Sequence, residues 1–218
     1  MADLVIFDCD GVLVDSEVLA VEALCEVLTT AGVPATPAMI ARCFGMKQAD
    51  ILASVERDTG VSIPAHVADE LWPATRAHFE RGLRAMPGVA DFVARLGGRP
   101  RCVASSSSLE RIRFSLRKTG LDGLFGEHVF SSQMVARGKP APDLFLLAAE
   151  RMGVAPERCA VIEDSIFGVQ GARAAGMRAL GFLGGSHIAP DHGARLLDGG
   201  AEDALDSFAA IERRLFGA

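Results

Sequence analysis

The sequence predicts an α/β fold: a parallel sheet with helices on both faces and an all-helical segment inserted after the first strand. Three observations carry this. Short β-branched runs recur along the chain, helical periodicities separate the later ones, and about seventy residues of helical pattern interrupt that alternation near the start.

The first run, "LVIFD" (4–8), is apolar until its end, as suits a strand buried on both faces. It closes on Asp8 and Asp10, two positions apart and followed by Gly11. An Asp-Gly pair often serves only a turn, but two carboxylates this close repel, and each is costly to bury without a partner. Residues 17–87 then read as helix. Val21, Leu24, Cys25 and Leu28 form an apolar stripe that stops at Gly32, and Thr36-Pro37 reads as an N-cap with proline in the first turn. "ADILASVERDTG" is a third helix ended by Gly60. A fourth, from Pro64 to about Gly82, is expected to bend or split at Pro73.

From residue 88 the alternation resumes. Val89, Phe92, Val93 and Leu96 are spaced as one helical face, closed by Gly97-Gly98. Strands follow at "RCVASS" (101–106), "HVFSS" (128–132), "CAVIED" (159–164) and "RALGFL" (178–183), with a helix opened near Pro142 and closed at Gly153. Two modules are expected: residues 1–16 plus 88–218 as the sheet-bearing core, and 17–87 as a helical insert.

Composition narrows the function. Of 218 residues, 50% are hydrophobic and 23% charged, ordinary values for a globular chain. A formal charge of −6 argues against nucleic acid or an anionic membrane as partner. No apolar stretch approaches the roughly 20 residues of a membrane helix, and no basic leader precedes an apolar segment, so a cytoplasmic protein is expected. The five cysteines form no CxxC pair and read as reduced, mostly buried thiols. The sequence leaves the oligomeric state open, with a monomer favoured.

In a parallel α/β sheet, ligands bind beyond the carboxyl ends of the strands. The polar surprises of this chain fall at such ends: Asp8 and Asp10, then Ser105 and Ser106 in a run of four serines, then Glu163 and Asp164. Lys139 stands in "GKPAPD", just ahead of a helix. Each has a bland explanation: a turn, a helix start, a solvated charge. Together they describe a site. Asp8, Asp164 and Glu163 are hard oxygen donors suited to magnesium at roughly 2.0–2.1 Å, while Ser105 and Lys139 suit phosphate oxygens. A carboxylate beside such a phosphoryl group can attack phosphorus, and a second can move the proton of the leaving oxygen.

"FDCDGVLVDSE", the Ser105 strand end, "GKPAPDLF" and "VIEDSIFGVQGARAAGM" resemble the four motifs of the haloacid dehalogenase-like hydrolases. The resemblance runs from Val5 to about Phe182. It implies a Rossmann-like core with Asp8 as nucleophile and Asp10 as general acid/base. It also implies phosphate binding by Ser105 and Lys139, and Mg2+ held by Asp8, the Asp10 carbonyl and Asp164, with Glu163 near or on the metal. The helical insert resembles the small cap of the subfamily that includes β-phosphoglucomutase, phosphoglycolate phosphatase and 6-phosphogluconate phosphatase. Metal-free dehalogenases of the family lack the second aspartate, so phosphoryl transfer is expected rather than dehalogenation.

In such proteins the cap selects the leaving group. Lys47 is the candidate cap cation, Arg76 and Trp72 flank Pro73, and His187 is a candidate for the rim of the site, while His66 and His78 are taken as structural. The mutase carries a hinge histidine and a cap lysine where this chain has Ala20 and Phe44. The expected activity is therefore a phosphatase on a small sugar phosphate or phosphorylated sugar acid, with a phosphohexomutase or a non-catalytic binding protein as alternatives.

Overall fold

The computed structural model describes residues 2–217. Among them, β1 (Leu4–Phe7), β2 (Arg101–Ser105), β3 (Val129–Ser131), β4 (Cys159–Glu163), β5 (Arg178–Phe182) and β6 (Asp203–Leu205) pair side by side, all parallel. The sheet order is β3-β2-β1-β4-β5-β6. β1 thus lies where the order reverses, flanked by β2 and β4, and a crevice opens beyond its carboxyl end.

Alternation along the strands divides the core into two layers. Val5, Phe7, Val103, Ile162 and Phe182 face one layer, and Leu4, Ile6, Cys102, Ala104 and Val161 the other. The first layer is covered by α5 (Val89–Arg95), α6 (Leu109–Lys118), α7 (Asp122–Phe125) and α11 (Phe208–Phe216). The second is covered by α8 (Asp143–Met152), α9 (Ile166–Ala174) and α10 (His192–Asp198). Both faces being covered explains why β1 and β4 are buried along their whole length.

The insert folds as α1 (Glu17–Thr30), α2 (Pro37–Ala41), α3 (Gln48–Thr59) and α4 (Val67–Gly82). Val21, Leu24, Leu28, Ile40, Val55 and Leu71 form an apolar cluster separate from the two sheet layers. The Thr36 hydroxyl accepts a bond from the Met39 N–H at the start of α2, and Gly60 closes α3 in the left-handed region.

Two expectations are corrected. α4 starts at Val67 rather than Pro64, and it runs unbroken through Pro73. Pro73 lies on the exposed side of a helix whose other face is anchored by Leu71, Thr75 and Phe79, and that packing holds the segment helical past the missing N–H. β6 was not foreseen: its three residues, "DAL", carry too short an apolar pattern to register, and only the exposed edge of β5 recruits them. No helix among the described residues is long and apolar enough to cross a membrane.

Candidate active site

Strand ends bring the predicted groups together. Asp8 follows β1, Glu163 ends β4 and Asp164 follows it, so the register of β1 against β4 sets these carboxylates side by side. One ligand oxygen from each lies within 4.8 Å of the others, and all three residues are buried. Lys139 enters from the loop before α8; its side chain is fully buried and donates to Asp8 Oδ1 at 2.9 Å and to Glu163 Oε1. Glu163 commits its other oxygen to the backbone N–H and hydroxyl of Ser165, both at 2.9 Å, at the start of α9. Glu163 therefore anchors Lys139 and α9, leaving Asp8 and Asp164 as the carboxylates with open positions.

Asp10 faces a different shell. Its Oδ1 accepts from the Ser16 hydroxyl at 2.7 Å and from Arg111 Nη2 at 2.8 Å, and its Oδ2 from the Ser107 hydroxyl at 2.6 Å. Arg111 lies on α6 with its guanidinium 5.0 Å from the Phe79 ring of α4. Sequence reading missed Arg111, Ser107, Ser16 and the buried Glu17. Arg111 sits one turn into a helix that follows the serine run, and its spacing from Ser107 was the available signal.

The remaining candidates divide. Ser105 is buried and its hydroxyl accepts from the Ser107 N–H at 3.2 Å, beside the cavity. The Ser106 hydroxyl donates instead to the Gly45 carbonyl of the insert at 2.6 Å, tying insert to core. Lys47 lines the cavity but directs Nζ to the carbonyls of Val135 and Ala136, at 3.3 and 3.5 Å. Trp72 lines the cavity and packs edge-on against Phe79 and Phe114, whereas Arg76 is exposed and paired with Glu80. His66 is exposed, and His78 pairs with Glu22 and Glu26. His187 reaches the site more closely than expected, with Nε2 3.0 Å from Asp164 Oδ2.

The cavity above these groups measures about 420 Å³. Asp8, Asp10, Ser105 and Arg111 form its floor, and Ala20, Leu24, Phe44 and Trp72 of the insert line it from the other side.

Electrostatics separate the carboxylates. Burial pushes the Asp8 carboxyl well above its ordinary range, and Glu163, Asp164 and Asp10 add to this against the pull of Lys139. Burial and Glu163 likewise raise Asp164. For Asp10, burial is outweighed by Arg111 and by the hydroxyls of Ser107 and Ser16, so its carboxyl is held below the usual range. Burial opposes the charge on Lys139, but Asp8 and Glu163 prevail and raise it. The site thus carries more negative charge than one lysine offsets. Asp164 Oδ2 is buried and accepts no hydrogen bond, and Gly11 leaves it room: a Cβ there would stand 1.8 Å from that oxygen. An all-oxygen donor set with surplus charge and an unpartnered carboxylate oxygen fits a hard divalent cation.

Comparison with known proteins agrees with this geometry. The family model for haloacid dehalogenase-like hydrolases matches residues 2–176. A 6-phosphogluconate phosphatase of Escherichia coli is 31% identical over 190 residues, covering 86% of each chain. A fructose-1-phosphate phosphatase of Escherichia coli is 36% identical over 176 residues, covering 80% of this chain and 93% of its own. The crystal structure of a haloacid dehalogenase-like protein of unknown function from Agrobacterium tumefaciens superposes with a TM-score of 0.84 at 40% identity, over 100% of this chain and 99% of that one.

Proposed function

The chain belongs to the haloacid dehalogenase-like hydrolases, and within that family we propose that it is a magnesium-dependent phosphatase of small phosphomonoesters, sugar phosphates or phosphorylated sugar acids. One observation carries the reading: Asp8, at the end of β1, faces the cavity with one oxygen on Lys139 and stands beside Asp164. The two bacterial relatives named as phosphatases of a sugar acid and of a ketose phosphate support the substrate class.

The reaction follows from the residues. An Asp8 oxygen attacks phosphorus in line with the bond to the leaving oxygen; that bond breaks and an aspartyl-phosphate forms. Lys139 and the Ser105 hydroxyl hold phosphoryl oxygens, and the N-terminus of α9 lies close by. Mg2+ held by Asp8, Asp164 and the Asp10 carbonyl would neutralise charge on the transferring phosphoryl group. Asp10 gives a proton to the leaving oxygen, then takes one from the water that attacks the aspartyl-phosphate, which regenerates Asp8 and releases phosphate. With three donors on its carboxylate, Asp10 stands in its proton-accepting form. To deliver a proton Asp10 first takes one from solvent as substrate loosens those bonds, which makes Ser16, Ser107 and Arg111 the groups that set its readiness.

Residues 17–87 serve as a cap that closes the cavity over the leaving group, with Lys47 and Trp72 on its inner side. Ala20 and Phe44 line the cavity and offer no side-chain donor to a sugar, which favours hydrolysis over the reorientation a mutase requires.

The test is a panel of sugar phosphates and phosphorylated sugar acids assayed for free phosphate with Mg2+ and with excess chelator. Magnesium-dependent release from at least one class supports the proposal, and full activity in chelator rejects the metal. With β-glucose 1-phosphate and a trace of the bisphosphate, glucose 6-phosphate appearing faster than phosphate would establish a mutase instead.

A further inference from the structure

Past β5 the chain runs through "LGGSH" (183–187) before entering α10, and two histidines of this stretch converge on one aspartate. His192 Nε2 is hydrogen-bonded to the Asp164 carbonyl oxygen. His187 Nε2 stands 3.0 Å from Asp164 Oδ2. The His187 side chain is 4% exposed, yet neither ring nitrogen makes a hydrogen bond, and Asp164 Oδ2 makes none either. Buried polar groups without partners are costly, and these two stand within bonding distance of each other without forming a bond.

The ring is also held in place. Phe44 of the insert meets it edge-on at 5.2 Å and 86°. Gly185 passes close beneath it: a Cβ there would lie 2.7 Å from Nδ1. Gly11 is open on the third side, where a Cβ would lie 3.1 Å from the ring and 1.8 Å from Asp164 Oδ2. The ring nitrogens are not part of the donor cluster of Asp8, Glu163 and Asp164.

We propose that His187 is a positioning residue for Asp164: its ring nitrogen lies 3.0 Å from Oδ2, and a bond donated from it to that oxygen fixes the carboxylate in the orientation a cation requires. The assignment rests on the metal centre proposed above. Groups that orient a metal ligand through a hydrogen bond typically govern affinity without touching the ion, and their loss costs about 10–100-fold in binding. Phe44 lines both the substrate cavity and the small crevice that contains His187. The same side chain therefore touches the leaving-group space and the residue that orients Asp164.

Mn2+ binding to the full chain, followed by the electron paramagnetic resonance of the free ion, tests this without turnover. His187→Ala should weaken Mn2+ binding by about 10–100-fold while the metal-free protein keeps its melting temperature. His187→Gln, whose amide N–H reaches the position of Nε2, should recover part of the loss. Affinity within twofold of wild type in His187→Ala would overturn the role of His187. Equal losses in both variants, accompanied by equal falls in metal-free melting temperature, would reduce the ring to packing and overturn it too. A wild-type chain that binds no Mn2+ would instead overturn the metal centre, and this inference with it.

Discussion

Asp8 and Asp10 are two residues apart and are pushed in opposite directions, Asp8 up by burial among carboxylates and Asp10 down by Arg111 and two hydroxyls. The roles proposed for them need such different shells, because a nucleophile is activated by positive charge and a proton shuttle must change protonation state during the cycle. Asp8→Asn removes the proposed nucleophile at constant volume and relieves repulsion with Glu163 and Asp164. Turnover should vanish while the metal-free melting temperature stays at or above that of wild type; measurable turnover, with deamidation excluded by mass spectrometry, rejects the role. Glu17 is a second residue-scale test. Burial, then Asp10 and Asp164, raise its carboxyl to about 8. A folded pKa above the unfolded one, near 4.3, means stability that is complete below that value and is lost as pH rises to about 8. The metal-free protein should therefore lose up to about 1.4 kcal/mol per pH unit across that window from this group, and Glu17→Gln should flatten the profile. Identical pH profiles for the two proteins, measured by urea denaturation, would contradict the shift. Asp8, Asp10, Lys139 and Asp164 were legible in the sequence because each sits at a strand end or in a glycine–proline loop, where a charge has no packing reason to be. Glu17 and Arg111 were not, since a glutamate at a helix start and an arginine on a helix are ordinarily solvated.

Several helices and strands were readable where one apolar face or run persisted, although α11, which buries Phe208, Ile211 and Leu215, was not foreseen. β1 and β4 carry continuous apolar runs, and the α1 stripe repeats over two turns. β6 is three residues long and has no pattern of its own. Pro73 marks the limit of a local rule: proline in a helix interior normally breaks it, yet α4 continues because Leu71 and Phe79 bury on the opposite face. Its ring is exposed and fills no space in the core. Pro73→Ala should restore a backbone donor without opening a cavity and should stabilise the protein by about 1–3 kcal/mol. No change or a loss in the denaturation midpoint would show that Pro73 costs this helix nothing. Thr36→Ala, which removes the cap of α2, should cost about 1 kcal/mol in the same measurement.

At the scale of the whole molecule, the insert meets the core through apolar packing of Ala20, Phe79 and Trp72 and through specific polar bonds: Ser106 to the Gly45 carbonyl and Lys47 to the carbonyls of Val135 and Ala136. The carboxylate cluster joins β1 to β4 across the middle of the sheet, so a cation bound there should stabilise the global fold. A ligand that binds only the native state adds about 2.7 kcal/mol at one hundred times its dissociation constant. The melting temperature should rise with added Mg2+ and fall back on chelation; a midpoint indifferent to saturating Mg2+ would refute a stabilising metal effect. The sequence by itself determined the α/β class and pointed to the helical insert and to the carboxylate, lysine and serine set as candidates, because strand periodicity and charge at strand ends are local properties. Only the tertiary structure decided which of these groups are already spent. Lys47 and Ser106 are drawn to backbone carbonyls across the cleft, Glu163 is saturated by Lys139 and Ser165, and Asp10 is enclosed by Ser16, Ser107 and Arg111. Hydrogen-bond partners dozens of residues apart are chosen by packing geometry, which no local pattern encodes.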